Sequence, residues 1–485
     1  MKRTILFIII SILCLMGHSQ QDFTIHSLRS IPQSNYSNPA MMPTPKLHIG
    51  MPFLSSDYYS FSHTGFNAHH LFKRAPGDSL DIDIGGTIEK MAKYNHIVFN
   101  TSIEWLSFGI KLKDIEGKYK HYINFSLSDK VFVNFTYPRS LIEFLYKGNS
   151  DEAFLGEVVR FHRLGLNAMH YREYSLGYAI QYTHQWTFGA HAKVLQGLAN
   201  VYTKKSHVTI LTNESNFFIT ATGDVDIRAS LPESVWGDDE NNNNDFDFGD
   251  YITNTSNMGF AIDLGATYQF NKKLLLGASI LDLGFISWKS GTRQFVSSNP
   301  GKPFTFEGID VVEIINEEDS IADKIIQNLV DSVIDILGID TFKNKYNSPV
   351  NTQLHFHASY DLTSKDKVSG LIRFNGFNNT VRTGLSFAYT RNFGNVLNLS
   401  VSYTMTARKY FNLGLGFSVN AGTTQFYLTT DNIISPFVHN SYVLNDDNGK
   451  QEGFNMIRNT KYLNARFGIN FVFGYKEPID VTPLF

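Results

Sequence analysis

The chain of 485 residues has a single cysteine, Cys14, inside an apolar stretch near its start. That stretch, Ile5 to Met16, follows Lys2 and Arg3 and runs into Gly17-His18-Ser19. A charged start, a short apolar core and small residues at the exit make a secretory signal peptide. Cleavage is expected after Ser19, and about twelve apolar residues are too few to span a bilayer as a helix. A lipoprotein anchor does not fit, because Leu13 precedes Cys14 where a small residue would be needed. With Cys14 gone, the mature chain has no disulfide, no thiolate nucleophile and no cysteine metal ligand.

A surplus of positive charge is also missing. The formal charge is -3, and loss of Lys2 and Arg3 takes it to -5, which excludes a basic nucleic-acid surface. No later run reaches about eighteen consecutive apolar residues, so no helical membrane span is expected downstream. Gly-x-Ser-x-Gly, His-Glu-x-x-His and a phosphate-cradling glycine loop are all absent. The reading is therefore a non-enzyme without a cofactor.

What the chain does have is alternation. Tyr174, Leu176, Tyr178, Ile180 and Tyr182 interleave with Ser175, Gly177, Ala179, Gln181 and Thr183. Phe260, Ile262, Leu264, Ala266 and Tyr268 interleave with Ala261, Asp263, Gly265 and Thr267, and Leu397 to Thr406 repeats the pattern. Successive side chains of a strand point to opposite faces, so each segment has one apolar and one polar face. Such segments of about ten residues, separated by turns, describe a transmembrane barrel with lipid outside and a polar lumen. Aromatic residues make up 14% of the chain, enough to supply the interfacial girdles that a soluble sandwich does not need.

The expected fold is all-β: a closed antiparallel transmembrane β-barrel of about fourteen strands, with an N-terminal plug-like region and long extracellular loops. The strands are expected to begin near Glu104, Tyr119, Val131, Tyr171, Gln185, Met258, Lys273, Thr352, Lys367, Val381, Val396, Phe411, Thr424 and Tyr462. Tight turns are read at Asp129-Lys130, His184-Gln185, Asn271-Lys272, Phe393-Gly394-Asn395 and Asn420-Ala421-Gly422. Long connections at 139–170, 198–257, 287–351 and 432–461 then all fall on the extracellular side. Two alternating runs within 204–228 form a hairpin above the membrane, or two further strands for a total of sixteen. Residues 318–337 have helical spacing, with Ile321, Ile325, Leu329 and Val333 on one side. The divisions expected are a signal peptide at 1–19, a plug-like or periplasmic segment at 20–100, the barrel at 101–474 and a tail at 475–485.

Charged and imidazole residues on polar faces are the candidates for lining the lumen: Lys111, His191, Lys193, Asp263, His355, His357, Arg382 and Arg466. On the lipid face an Arg or Lys would cost about 2–4 kcal/mol at the bilayer midplane. They either fill the lumen as an ion-paired network or form a constriction that selects a solute. His355 and His357 share a strand face, but two imidazoles fall short of a zinc set, and no metal is assigned. The run Gly237-Asp238-Asp239-Glu240 with Asp245, Asp247 and Asp250 is rich in oxygen ligands but lacks the calcium-loop spacing, notably its closing glutamate.

Tyr36-Ser37-Asn38-Pro39-Ala40 resembles the Asn-Pro-Ala element near the start of FadL-like and PorV-like outer-membrane proteins. The segment from Ala278 to Trp288, with Leu281-Asp282-Leu283-Gly284, is similar to one in an uncharacterised Bacteroidota barrel family of that superfamily, a domain of unknown function. Thr430-Asp431-Asn432 and Phe467-Gly468-Ile469-Asn470-Phe471-Val472-Phe473-Gly474 fit the same family. The resemblance implies fourteen strands, a plug and a place in the cell outer membrane. It implies FadL-like uptake of hydrophobic or small solutes, with a PorV-like scaffold or shuttle of type IX secretion as the alternative. The partners implied are outer-membrane lipids, the barrel assembly machinery, and a hydrophobic ligand or a secreted protein. Either Phe473 or Phe485 is the aromatic end read during assembly.

Overall fold

A strand that must face hydrocarbon on one side and water-filled space on the other sorts its residues by parity, and the structure does this throughout. The computed structural model describes residues 22–66, 71–74, 80–236, 247–298, 300–306, 338–377, 380–406, 409–433, 439–445, 451–457 and 462–474. The wall strands are β1 (in two pieces, Leu47–Gly50 and Asp57–His63), β2 Tyr94–Lys113, β3 Tyr119–Pro138, β4 Gly165–Gln181, β5 Trp186–Thr212, β6 Met258–Gln269 and β7 Leu274–Trp288. They continue as β8 Thr352–Asp361, β9 Asp366–Phe377, β10 Thr380–Phe393, β11 Leu397–Thr406, β12 Lys409–Ala421, β13 Thr424–Thr430 and β14 Tyr462–Phe473. Each strand pairs antiparallel with the next, and β14 returns to β1 through Asp57↔Phe467 and Leu47↔Phe473. The barrel is closed, with fourteen strands in its wall.

Burial is inverted relative to a soluble protein. On β11, Ser400, Ser402 and Thr404 are 0–1% exposed while Leu399 and Val401 are 36% and 44% exposed. A soluble core would bury the leucine and valine and expose the serines; a barrel in lipid does the reverse. The connections 114–118, 182–185, 270–273, 362–365, 394–396 and 422–423 are short and lie at one end. The long ones, 64–93, 139–164, 213–257, 289–351 and 431–461, lie at the other. Both termini of the wall sit at the short-turn end, where the Lys46 amide donates to Phe473 and Gly474 carbonyls.

Three sequence expectations need correction. Asp129-Lys130 is not a turn: β3 runs straight through it, because Asp129 pairs with Arg172 and Lys130 with Glu173 across β4. The two charges that read as turn residues are ion-paired in mid-strand instead, Lys130 on the inner face and Asp129 on the opposite one. The count of fourteen survives because the first strand is β1, which falls in the stretch assigned to the plug. β2 begins at Tyr94 rather than near Glu104, so the barrel starts at Leu47 and the plug is confined to the residues before it. The alternation of β1 is broken at 51–56, where six residues on β1 replace two on β14, so residues 46–66 read as β-like stretches that could belong to the plug or to the wall. The runs within 204–228 are indeed a hairpin: β5 extends beyond the wall and pairs with Ile219–Ser230. Ile219–Ser230 pairs in turn with Thr292–Ser297 and that strand with Ile339–Phe342, forming a sheet above the barrel. The signal peptide, the helical stretch 318–337, acidic residues 237–246 and the tail with Phe485 lie outside the described residues. Asp247, just after the acidic run, caps the short helix Phe248–Thr253 by accepting from the Gly249 and Asp250 amides.

Candidate functional site: a polar chamber above an N-terminal plug

Residues 22–41 mix polar and apolar side chains and form no long helix, and nearly all are buried. They lie inside the lumen as two 3-10 turns, Ile25–Ser27 and Pro32–Ser37, and the barrel's inner face satisfies them. Asp431 accepts from the Phe23 and Thr24 amides, the Thr24 hydroxyl, the Tyr462 hydroxyl and the Asn464 amide group. Arg466 donates to the Asp22 carboxylate at 2.7 Å and to Ser56 at 2.6 Å. Gln33 and Asn470 exchange amide hydrogen bonds at 2.9 and 3.0 Å. Glu104 accepts from Ser55 at 2.6 Å and from the Tyr36 hydroxyl. Burial first, and then the Glu104 carboxylate, hold the Tyr36 phenol well above its ordinary pKa, so it stays a donor.

Asn38-Pro39-Ala40 meets the wall where it is thinnest. Gly189 on β5 and Gly265 on β6 stand directly opposite each other. A Cβ on Gly189 would come within 2.3 Å of the Pro39 carbonyl, and one on Gly265 within 2.1 Å of Asn38 Oδ1. Only glycine permits that approach. Asn38 also donates to the wall carbonyls of Ala266 and Ala278, at 3.3 and 3.1 Å. The Asn-Pro-Ala element is thus a seat on the barrel wall.

The residues expected to line the lumen all lie on the inner face. His191 on β5 places Nδ1 2.9 Å from Asp263 and Nε2 2.7 Å from Asn35 of the plug. Lys193 lies 2.7 Å from Asp263, 2.5 Å from Asp282 and 3.7 Å from Glu173, and Lys130 pairs with Glu173 at 2.7 Å. His355 donates from Nδ1 to the Ser37 carbonyl and accepts from Arg373. His357 is buried beside the plug's base. Lys111 reaches the Thr44 carbonyl at 3.2 Å. Arg382 is 8% exposed whereas its neighbour Val381 is 59% exposed. The structure unites His191, Lys193 and Asp263 in one network; His355, His357, Arg382, Arg466 and Lys111 sit elsewhere on the inner face. Among the described residues, no group of three or more His, Cys, Asp or Glu side chains is arranged to hold a metal ion.

Asp22, Asn35, Glu104, Glu173, Asp282, Arg373 and Asp431 are functional neighbours that the sequence reading passed over. Arg373 was legible by the same parity, between outward Ile372 and half-buried Phe374. Asp282 was not, because it sits at positive φ (54°) in a bulge. Its amide donates to Asp263 at 2.7 Å, and the extra residue shifts the alternation of β7 by one. Beyond the bulge Ile286 and Trp288 therefore point inward, where they join Met169, Leu195, Ala261, Tyr346 and Val350 in an apolar cluster.

Between the plug and this region lies a chamber of about 180 Å³. Ile25, Tyr36 and Ser37 of the plug line it, together with the Lys193 network, Glu104, His355, Arg373 and Arg466. Most of its lining residues are polar or charged, though Ile25, Phe132 and Leu281 also line it, and the apolar cluster at the loop end is packed against itself.

A closed barrel with an apolar exterior and its own N-terminal segment lodged in a polar lumen defines a transmembrane β-barrel of the plugged kind. The chain belongs to the family of unknown function DUF5723, whose model matches residues 39–431. No curated protein matches it. Among solved structures it is similar to the Ralstonia pickettii toluene transporter TbuX, at 10% identity and a TM-score of 0.40 over 95% of this chain and 97% of that one. It is also similar to a Pseudomonas aeruginosa FadL homologue, at 7% identity and a TM-score of 0.38 over 95% of this chain and 100% of that one. The Pseudomonas putida toluene transporter TodX gives 10% identity and a TM-score of 0.36 over 96% of this chain and 98% of that one.

Proposed function

We propose that this protein is an outer-membrane channel that admits small polar solutes, with residues 22–46 as the element that controls passage. The observation that carries the reading is the chamber inside a closed wall, bounded by inward strand residues and by the plug. A lumen that served only as a structural core would be filled, since protein interiors pack with few voids larger than a water. Of the solutes expected, the small polar kind matches the chamber's lining. The plug is held by hydrogen bonds and one ion pair as well as by buried Phe23, Leu28 and Ile31, so its release would break polar links and uncover a limited apolar surface.

Liposome swelling tests this. Vesicles carrying the wild type should swell in glycine faster than empty vesicles, and an in-frame deletion of residues 22–44 should raise the rate several-fold. If neither protein exceeds empty vesicles, the channel reading falls. If only a monoaromatic hydrocarbon crosses, the chamber is not the route.

A further inference from the structure

Arg373 is an inner-face cation, and one lining the chamber, whose partners do not neutralise it. It is 3% exposed. Its Nε donates to the His355 imidazole at 2.8 Å, one Nη donates to the Asp22 backbone carbonyl at 3.0 Å, and its guanidinium lies 4.6 Å from the centre of the Phe23 ring. Among the described residues it has no carboxylate within ion-pair distance, whereas Lys130, Lys193 and Arg466 each have one. Its remaining nitrogen, Nη1, is buried without a hydrogen-bond partner, and the residue lines the chamber. A buried guanidinium donor left unmade costs far more than a neutral one.

The neighbouring inner-face positions repeat the pattern. Asn351, Gln353 and His355 recur at every second residue along the start of β8, and His355 stands opposite Arg373. Asn351 also lines the chamber, and its side-chain oxygen is buried without a partner. An arginine fork with a free donor, in a chamber whose wall also carries an amide that can rotate to donate, is an arrangement that receives an oxyanion.

The geometry points to Arg373 as the recognition point for a carboxylate of a small organic anion in the chamber, with Asn351 a further polar group of the same wall. This rests on the chamber being a solute site and names the class of solute it holds. The chamber's carboxylates are already held by Lys130, Lys193 and Arg466, or by hydroxyl and amide donors as Glu104 is.

The test is isothermal titration of the detergent-solubilised full barrel with succinate and with its neutral isostere succinamide. Wild type should bind succinate in preference to succinamide. R373Q should weaken succinate binding about tenfold, the scale of one lost charge-assisted hydrogen bond. N351D, which adds a like charge to the same chamber, should also weaken it. Heat-modifiable migration on gels reports whether each variant is folded, and should R373Q not fold, N351D decides alone. Equal affinity for the two probes, no binding of either, or a folded N351D that binds succinate like wild type would overturn the proposal, since the donors would then serve water. Arg373-dependent binding without any swelling of glycine vesicles would sustain the anion site and sink the channel reading.

Discussion

At the scale of the residue, His26 couples the plug to pH. It is 3% exposed, its Nδ1 donates to the Phe23 carbonyl, and Arg373 and Asp22 face it. Burial is the main influence on it; with Arg373 it outweighs the peptide carbonyl and Asp22, and the pKa falls from 6.5 to about 4. The folded protein therefore keeps His26 neutral where the unfolded chain would protonate it. Its contribution to stability is whole above about pH 6.5 and is lost progressively as pH falls from there to about 4. The melting temperature of the wild type should thus drop more between pH 7 and 4.5 than that of His26→Asn, all other titrating groups being shared. Parallel curves for the two proteins would refute this. His26 belongs to the part of the site that the sequence did not reveal. Alternation identifies inward residues on strands, and so found His191, Lys193 and Asp263. It has no purchase on a plug whose side chains follow short irregular turns and face strands up to 444 residues away in the chain.

At the scale of the element, β5 and β6 show what a glycine pair does for a barrel. Gly189 and Gly265 read in the sequence as small members of an alternating set, but their role depends on what presses against them. With Pro39 and Asn38 behind them, they are a socket. Gly265→Leu should eject Asn38-Pro39-Ala40 from its seat while leaving the ladder intact. The swelling rate should then rise toward that of the deletion lacking 22–44, with the folded gel mobility retained. A folded variant with wild-type permeability would mean that the seat has no part in controlling passage. The same scale explains where strand reading succeeded and where it failed. β8 to β14 carry regular alternation and glycine or asparagine turns, so their positions were legible. β1 is cut by the insertion at 51–56, so residues 46–66 read only as β-like stretches that could be plug or wall, and β3 was split at Asp129-Lys130 because charge in mid-strand mimics a turn until its partners Arg172 and Glu173 are known.

At the scale of the whole molecule, the exterior is a solvent-matching surface for hydrocarbon. Phe260 on β6 is 62% exposed there, and Val235 in the loops is 56% exposed. In phospholipid vesicles, Phe260→Arg should cost about 2–4 kcal/mol in urea unfolding if Phe260 lies near the midplane. Val235→Arg should fall within about 0.5 kcal/mol of wild type. Equal effects from the two would remove Phe260 from the lipid-facing band.

Closure by β1 also dictates an order of assembly. β1 lies between β2 and β14, so its ladder cannot be completed until the last strand, Tyr462–Phe473, has arrived. Until then the sheet has two bare edges, which invite pairing with other chains, and Asp431, Asn464 and Arg466 are not yet gathered around Asp22 and Thr24. The first segment to leave the secretion pore is therefore among the last to find its partners. A chain stopped before Tyr462 would be an open sheet with an unanchored N-terminus, not a smaller barrel, and translation to the end of β14 becomes a quality check built into the topology.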